Sequence, residues 1–207
     1  RNLAELAKGR QVIAPHLQAH GRTPDTDRPL RFETMGDDIA ALIGHLNLGK
    51  ADVMGYSLGS GVALQTAIRH PDVVDRLVLV SAAMKQDGFY PEGVAAFKQL
   101  EANAATLGGS VKASPLGQTY PGVDWIDLFR KVGDLTKRPF DWSAEIARLQ
   151  PRTLLVYADA DAIRPEHEVE FWKALGGGQR DAGIDGSKRP ANQLAIIPDT
   201  THYTIPV

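Results

Sequence analysis

The stretch "DVMGYSLGSGVALQTAIRH", residues 52–70, decides how this chain is read. Its first residues suit a strand, and the residues after Ser57 carry a helical pattern. Proline cannot continue a helix, so His70-Pro71 ends it. Between strand and helix stands Gly55-Tyr56-Ser57-Leu58-Gly59. A turn this sharp forces its apex residue into an unusual backbone, with positive φ expected at Ser57. Side chains two positions before and after the apex would collide with the crossing chain. Glycine is therefore expected to be required at both Gly55 and Gly59, and Gly61 to let the helix pack closely. The turn would push the Ser57 hydroxyl out above the sheet and aim the Leu58 amide at the space beside it. The helix start adds partial positive charge, which favours a developing oxyanion. Ser57 is therefore a candidate nucleophile. The plain alternative is an ordinary serine in a glycine-rich bend, because a bare G-x-S-x-G also occurs by chance. A phosphate loop fits poorly, since neither Gly-Lys-Ser/Thr nor G-x-G-x-x-G is present.

The rest of the chain supplies the context. Its 207 residues allow one sizeable domain or a domain with an insertion. Hydrophobic residues make up 43%, enough for a packed core. Net charge is −2 with mixed signs, which gives no basic face for nucleic acid. The absence of cysteine removes disulfides, thiol nucleophiles and thiolate metal sites. It fits a reducing compartment, and a cytoplasmic location is expected. No apolar run approaches the roughly 18 residues that span a bilayer, and no signal peptide is visible. The chain opens on Arg1 and not Met, so a longer native chain is expected.

Periodicity places buried strands at 11–14, 52–56, 76–80, 153–157 and 194–197. The expected helices are the end of one over 3–8, one capped by Thr34, one over 58–69 and one from Pro165 to about 175. The stripe of the second is Ile39, Leu42, Ile43 and Leu46. A short helix starts at Asp141 or Ser143. Strands alternating with helices predict an α/β class with a mostly parallel sheet flanked by helices. Residues 84–149 hold helical patterns and aromatics without a clear strand. They read as a helical cap, or lid, between core segments 1–83 and 150–207.

A serine nucleophile needs a histidine to take its proton, and the histidine needs a group to orient it. In open α/β sheets, active groups gather beyond the carboxyl ends of the strands. His202 follows the 194–197 strand, Asp159 and Asp161 follow the 153–157 strand, and His16 and His20 follow the 11–14 strand. His45, His70 and His167 fall on helices or their ends.

Gly55-Tyr56-Ser57-Leu58-Gly59, "LLVYADADAIRPEH" and "IIPDTTHY", in that order, resemble the α/β-hydrolase superfamily, as a serine esterase or lactonase-like member with a helical cap. The resemblance covers nearly the whole chain. It implies a Ser57, Asp161, His202 triad, with Ala158 in the place of a family glycine and Asp159 as the reserve acid. It also implies an oxyanion hole using the Leu58 amide. It makes His20 structural, in a loop where Ala19 replaces a glycine and His16 replaces a common aspartate. Ser60 replaces a glycine common after the elbow. The family's first strands, including the loop that supplies a second oxyanion amide, are not found in these residues. They are expected from a longer chain, from another chain, or not at all in a minimal variant.

The expected activity is hydrolysis of a carboxylic ester or lactone, needing no cofactor and no metal. Alternatives are carbon–carbon bond hydrolysis, a cofactor-free haloperoxidase, and a non-catalytic receptor or scaffold. Phe89, Tyr90, Trp125 and Phe129 are candidate pocket walls, although aromatics in a lid equally form its own core. The expected partner is a small-molecule ester or lactone, without nucleic acid or membrane, in a monomer or a homodimer. "DAGIDG" at 181–186 lacks the spacing of a calcium loop, and no His-Glu-x-x-His zinc pattern occurs.

Overall fold

A computed structural model describes residues 3–205. Its strands are β1 (Ala51–Tyr56), β2 (Val74–Val80), β3 (Arg152–Ala160) and β4 (Gln193–Thr201). They form one sheet in the order β1-β2-β3-β4, and every pairing is parallel. Parallel neighbours need crossovers, and helices supply them. α3 (Leu58–Arg69) joins β1 to β2, and α9 (Pro165–Ala174) lies between β3 and β4. This is the α/β class with a parallel sheet expected from the sequence.

The remaining helices are α1 (Leu3–Leu6), α2 (Phe32–His45), α4 (Pro91–Gln99), α5 (Ala104–Lys112), α6 (Pro115–Thr119), α7 (Trp125–Thr136) and α8 (Ser143–Ile146). No helix among the described residues is long and apolar enough to cross a membrane.

Two compact units emerge, with boundaries at 31/32 and, inside the 84–149 stretch, at 93/94 and 138/139. One takes residues 32–93 and 139–205; the other takes the described residues of 1–31 together with 94–138. In the first unit the core runs through Leu64, Leu77, Leu79, Leu155, Tyr157 and Phe171, all essentially inaccessible to solvent. α3 is buried along Ser60–Ala67, and its small residues permit close approach. A Cβ on Gly61 would lie 2.6 Å from the Phe32 ring, and one on Gly36 would lie 2.9 Å from the Thr66 amide nitrogen. In the second unit α5 meets α7 through Gly108, whose Cβ would fall 2.7 Å from the Ile126 backbone. Ion pairs Arg31–Asp134 (2.9 Å) and Lys131–Asp25 tie the leading segment to α7.

Two local expectations are corrected. Residues 11–14 form no strand; they run as irregular chain with Ile13 exposed. A strand needs a paired neighbour, and apolar residues alone do not supply one. Thr34 does not cap α2, which begins at Phe32. Phe32 stacks edge-on against Trp142 at 5.4 Å and packs on the core, which draws the helix start forward. The face of α2 turns accordingly, burying Met35, Gly36, Ala40 and Ile43; of the predicted stripe only Ile43 is fully buried.

Candidate active site

The turn at Ser57 is built from its own backbone demands. Ser57 sits at φ 53°, ψ −120°, immediately after β1 and before α3. Positive φ combined with this ψ is a sparsely populated region for a residue with a side chain and costs about 1–3 kcal/mol. The amide of Ser57 donates to Val80 O at 3.0 Å, and the Ser60 hydroxyl donates to Ser57 O at 2.5 Å. Both bonds help hold the strained apex. Gly55 is required: a Cβ there would lie 2.1 Å from Gly59 O. Gly59 is not required on that ground, because a Cβ there meets nothing within 4 Å. The sequence expectation for Gly59 is thus corrected. Among the described residues the chain crosses only on the Gly55 side of the apex.

Three side chains from the ends of three strands meet above this turn. The Ser57 hydroxyl lies 2.9 Å from His202 Nε2, and His202 Nδ1 lies 2.8 Å from Asp161 Oδ1. A carboxylate only accepts, so Nδ1 carries the hydrogen and Nε2 of the neutral ring is left to accept from Ser57. An imidazole held this way can take the hydroxyl proton as the oxygen attacks. His202 is 9% exposed, which leaves an edge of the ring open.

Asp161 is held at both oxygens. Oδ1 also accepts from the amides of Ala162 (2.7 Å) and Ile163 (3.4 Å). Oδ2 accepts from the Ser81 hydroxyl (2.7 Å) and the Ala158 amide (3.1 Å). Burial pushes this carboxyl up, but the bonds from His202, Ser81 and Ala158 outweigh it and hold it below its ordinary value. It therefore stays ionised beside His202. Asp159 has a different place. Its exposed carboxylate accepts the amides of Asp199 and Thr200, each at 3.0 Å, and ties the end of β3 to the chain leading to His202.

Leu58 is the first residue of α3, so its amide is one of the donors that a helix start leaves without an intrahelical acceptor. The proposed pocket residues fall in both units. Phe89 and Tyr90 belong to the unit that carries Ser57; Phe89 packs on its core and bridges to Ile163, while Tyr90 is 37% exposed. Trp125 and Phe129 lie on α7 in the other unit, where Trp125 is buried with its indole N–H unpartnered. In that unit His16 Nδ1 accepts the Arg22 amide at 2.8 Å, and His20 Nδ1 donates to Gln18 O at 2.8 Å. Among the described residues no group of three His, Asp or Glu could hold a metal ion.

Sequence reasoning missed two contacts. Ser81, one residue past β2, donates to Asp161, and Tyr56, one residue before Ser57, donates its hydroxyl to the His202 carbonyl. Their position at carboxyl ends of strands was a signal, but serine and tyrosine are common enough there to carry no motif.

The profile described as "alpha/beta hydrolase fold" matches residues 1–109. The chain belongs to the α/β hydrolase fold family. An uncharacterised protein of Mycobacterium tuberculosis is 26% identical over 224 residues, covering 97% of this chain and 64% of that protein. The chain thus spans less than two thirds of the length of that relative. A pimeloyl-acyl-carrier-protein methyl ester esterase of Neisseria meningitidis is 44% identical over 87 residues, which is 41% of this chain and 32% of that enzyme. Among solved structures, MGS-M2, an α/β hydrolase from a deep-sea metagenome library, aligns with a TM-score of 0.68 at 17% identity. That alignment covers 92% of this chain and 73% of the other. At that identity the likeness concerns the fold alone.

Proposed function

We propose that this α/β hydrolase is a serine hydrolase of carboxylic esters or lactones, acting through an acyl-enzyme on Ser57. The observation that carries this reading is the pair of hydrogen bonds Ser57–His202 and His202–Asp161, at 2.9 and 2.8 Å. The esterase relative supports the same bond type. Ser57 Oγ attacks the substrate carbonyl while His202 Nε2 takes its proton. The Leu58 amide donates to the oxyanion, helped by the start of α3. Collapse expels the alcohol, which receives the proton from His202. Water then attacks the ester on Ser57, with His202 again as the base. Asp161 keeps the imidazole in the right tautomer and stabilises it when protonated. The substrate is a small-molecule ester or lactone, and no cofactor takes part.

Hydrolysis of p-nitrophenyl acetate and butyrate by the wild type and Ser57→Ala tests this. Loss of turnover in the variant, with mass-spectrometric detection of a fluorophosphonate adduct on Ser57 of the wild type, is the expected result. Equal rates from both proteins would remove Ser57 from the reaction.

A further inference from the structure

Two neighbouring strands of the sheet each run into a serine of positive φ. β1 runs into Ser57 and β2 runs into Ser81, and both serines sit at φ 53°. Tyr56 pairs with Val80 in the parallel register, so the two serines occupy the same level just beyond the strand ends. Ser57 is strained because a sharp turn presents its hydroxyl. No motif accounts for Ser81. Glycine adopts this backbone without penalty, so a serine held there needs another cause. Ser81 is 2% exposed, and its amide donates to Val156 O on β3 at 2.8 Å. The left-handed backbone at this point turns the side chain toward the end of β3. There its hydroxyl donates to Asp161 Oδ2 at 2.7 Å.

We infer that Ser81 is a positioning residue for the proposed reaction: strained at the end of β2, it clamps the Asp161 oxygen that His202 does not use. The inference rests on the serine-hydrolase reading. The division of labour across the carboxylate supports it. Oδ1 faces His202 and the amides of Ala162 and Ile163, all from chain beyond β3. Oδ2 faces the Ala158 amide, which belongs to β3, and Ser81, the one side-chain donor to that oxygen among the described residues. Ser81 therefore ties the acid to the strand next to the one that carries the nucleophile. The distance between acid and nucleophile is then set by the sheet, a rigid element, and not by the loop after β3 alone. The same bond stabilises the charged carboxylate, which is the form that orients the imidazole.

The test separates hydroxyl from backbone. Ser81→Gly keeps the φ and removes the donor, so it leaves the fold intact or firmer. Ser81→Asn tolerates left-handed backbone and restores a donor. In this chain, carbon NMR of labelled aspartate follows the Asp161 carboxyl through its titration, and proton NMR reads the hydrogen on His202 Nδ1. Ser81→Gly is expected to move the Asp161 midpoint up by about half a pH unit or more, and to shift the Nδ1 proton signal. It is also expected to lower kcat for p-nitrophenyl butyrate about tenfold at unchanged KM, with Ser81→Asn recovering part of the loss. An Asp161 midpoint and Nδ1 signal in Ser81→Gly equal to the wild type would overturn the inference. The two NMR readouts do not depend on turnover, whereas the serine-hydrolase reading falls if Ser57→Ala hydrolyses the ester as fast as the wild type.

Discussion

The Tyr56 hydroxyl donates to the backbone carbonyl of His202 at 2.5 Å, and the two rings lie 5.4 Å apart at 35°. The residue before the proposed nucleophile thus holds the residue that carries the proposed base. Burial, and then the nearby charges of Asp161 and Tyr203, push the phenol above its ordinary value, so it remains a donor through neutral and mildly alkaline pH. Tyr56→Phe keeps the ring and loses the bond. A net hydrogen bond of about 1 kcal/mol corresponds to about a fivefold fall in kcat, measured with p-nitrophenyl butyrate. An unchanged kcat would show that ring packing alone positions His202.

The two aspartates after β3 should separate sharply. Asp161→Asn removes the charge and turns one of the two acceptor oxygens into a donor, so the His202 tautomer is no longer fixed, and kcat is expected to fall by roughly 10³–10⁴. The Asp199 and Thr200 amides donate to different oxygens of Asp159, so Asp159→Asn keeps one of the two bonds, and a loss of less than about tenfold is expected. Steady-state kinetics of both variants at one pH decide the matter. The reverse order would move the acid to Asp159.

Gly55→Ala and Gly59→Ala offer a stability contrast at the two glycines of the motif. At position 55 the new methyl would lie 2.1 Å from Gly59 O, backbone against backbone. The loss should reach or exceed the roughly 1–3 kcal/mol typical of overpacking. At position 59 the space is open, and alanine is a better helix former by about 1 kcal/mol. Urea unfolding should show Gly59→Ala unchanged or firmer. Equal destabilisation by both would mean that the crossing chain constrains both sides of the turn.

Glu168 gives a pH dependence. It is 2% exposed on α9, and burial, reinforced by the charges of Asp161 and Glu166, pushes its carboxyl from 4.5 up to about 7. Between those values the native protein keeps a proton that the unfolded chain has released. Its contribution is therefore present in full below 4.5 and is lost as pH rises through about 7. Glu168→Gln mimics the protonated form. It should melt higher than the wild type near pH 8, by about 2–4 °C for each kcal/mol recovered, and match it near pH 4. A melting difference that is the same at both pH values would refute the assignment.

The division between what was legible in the chain and what was not follows the range of the interactions. α3 was read with its observed bounds, Leu58–Arg69, because a glycine-bounded turn and His70-Pro71 mark its ends locally. The strands around 76–80 and 153–157 were legible because continuous apolar runs need cover on both faces. The start of α2 was not, since the packing of Phe32 on Phe140 and Trp142 reaches across more than 100 positions of sequence. Nor was the fate of residues 11–14, because a strand is a relation between two segments.

By itself, then, the sequence determined a parallel α/β arrangement and a serine at a strained strand-to-helix turn, since both depend on side-chain period and on which residues tolerate a sharp backbone. Chain order also put Asp159, Asp161 and His202 after the later strands. Only the tertiary structure decided that Asp161 and not Asp159 meets His202, that His202 reaches Ser57 from 145 positions away, and that Ser81 and Tyr56 brace the group. Those contacts depend on the register of four strands and the path of the loops beyond them, and no local pattern encodes either.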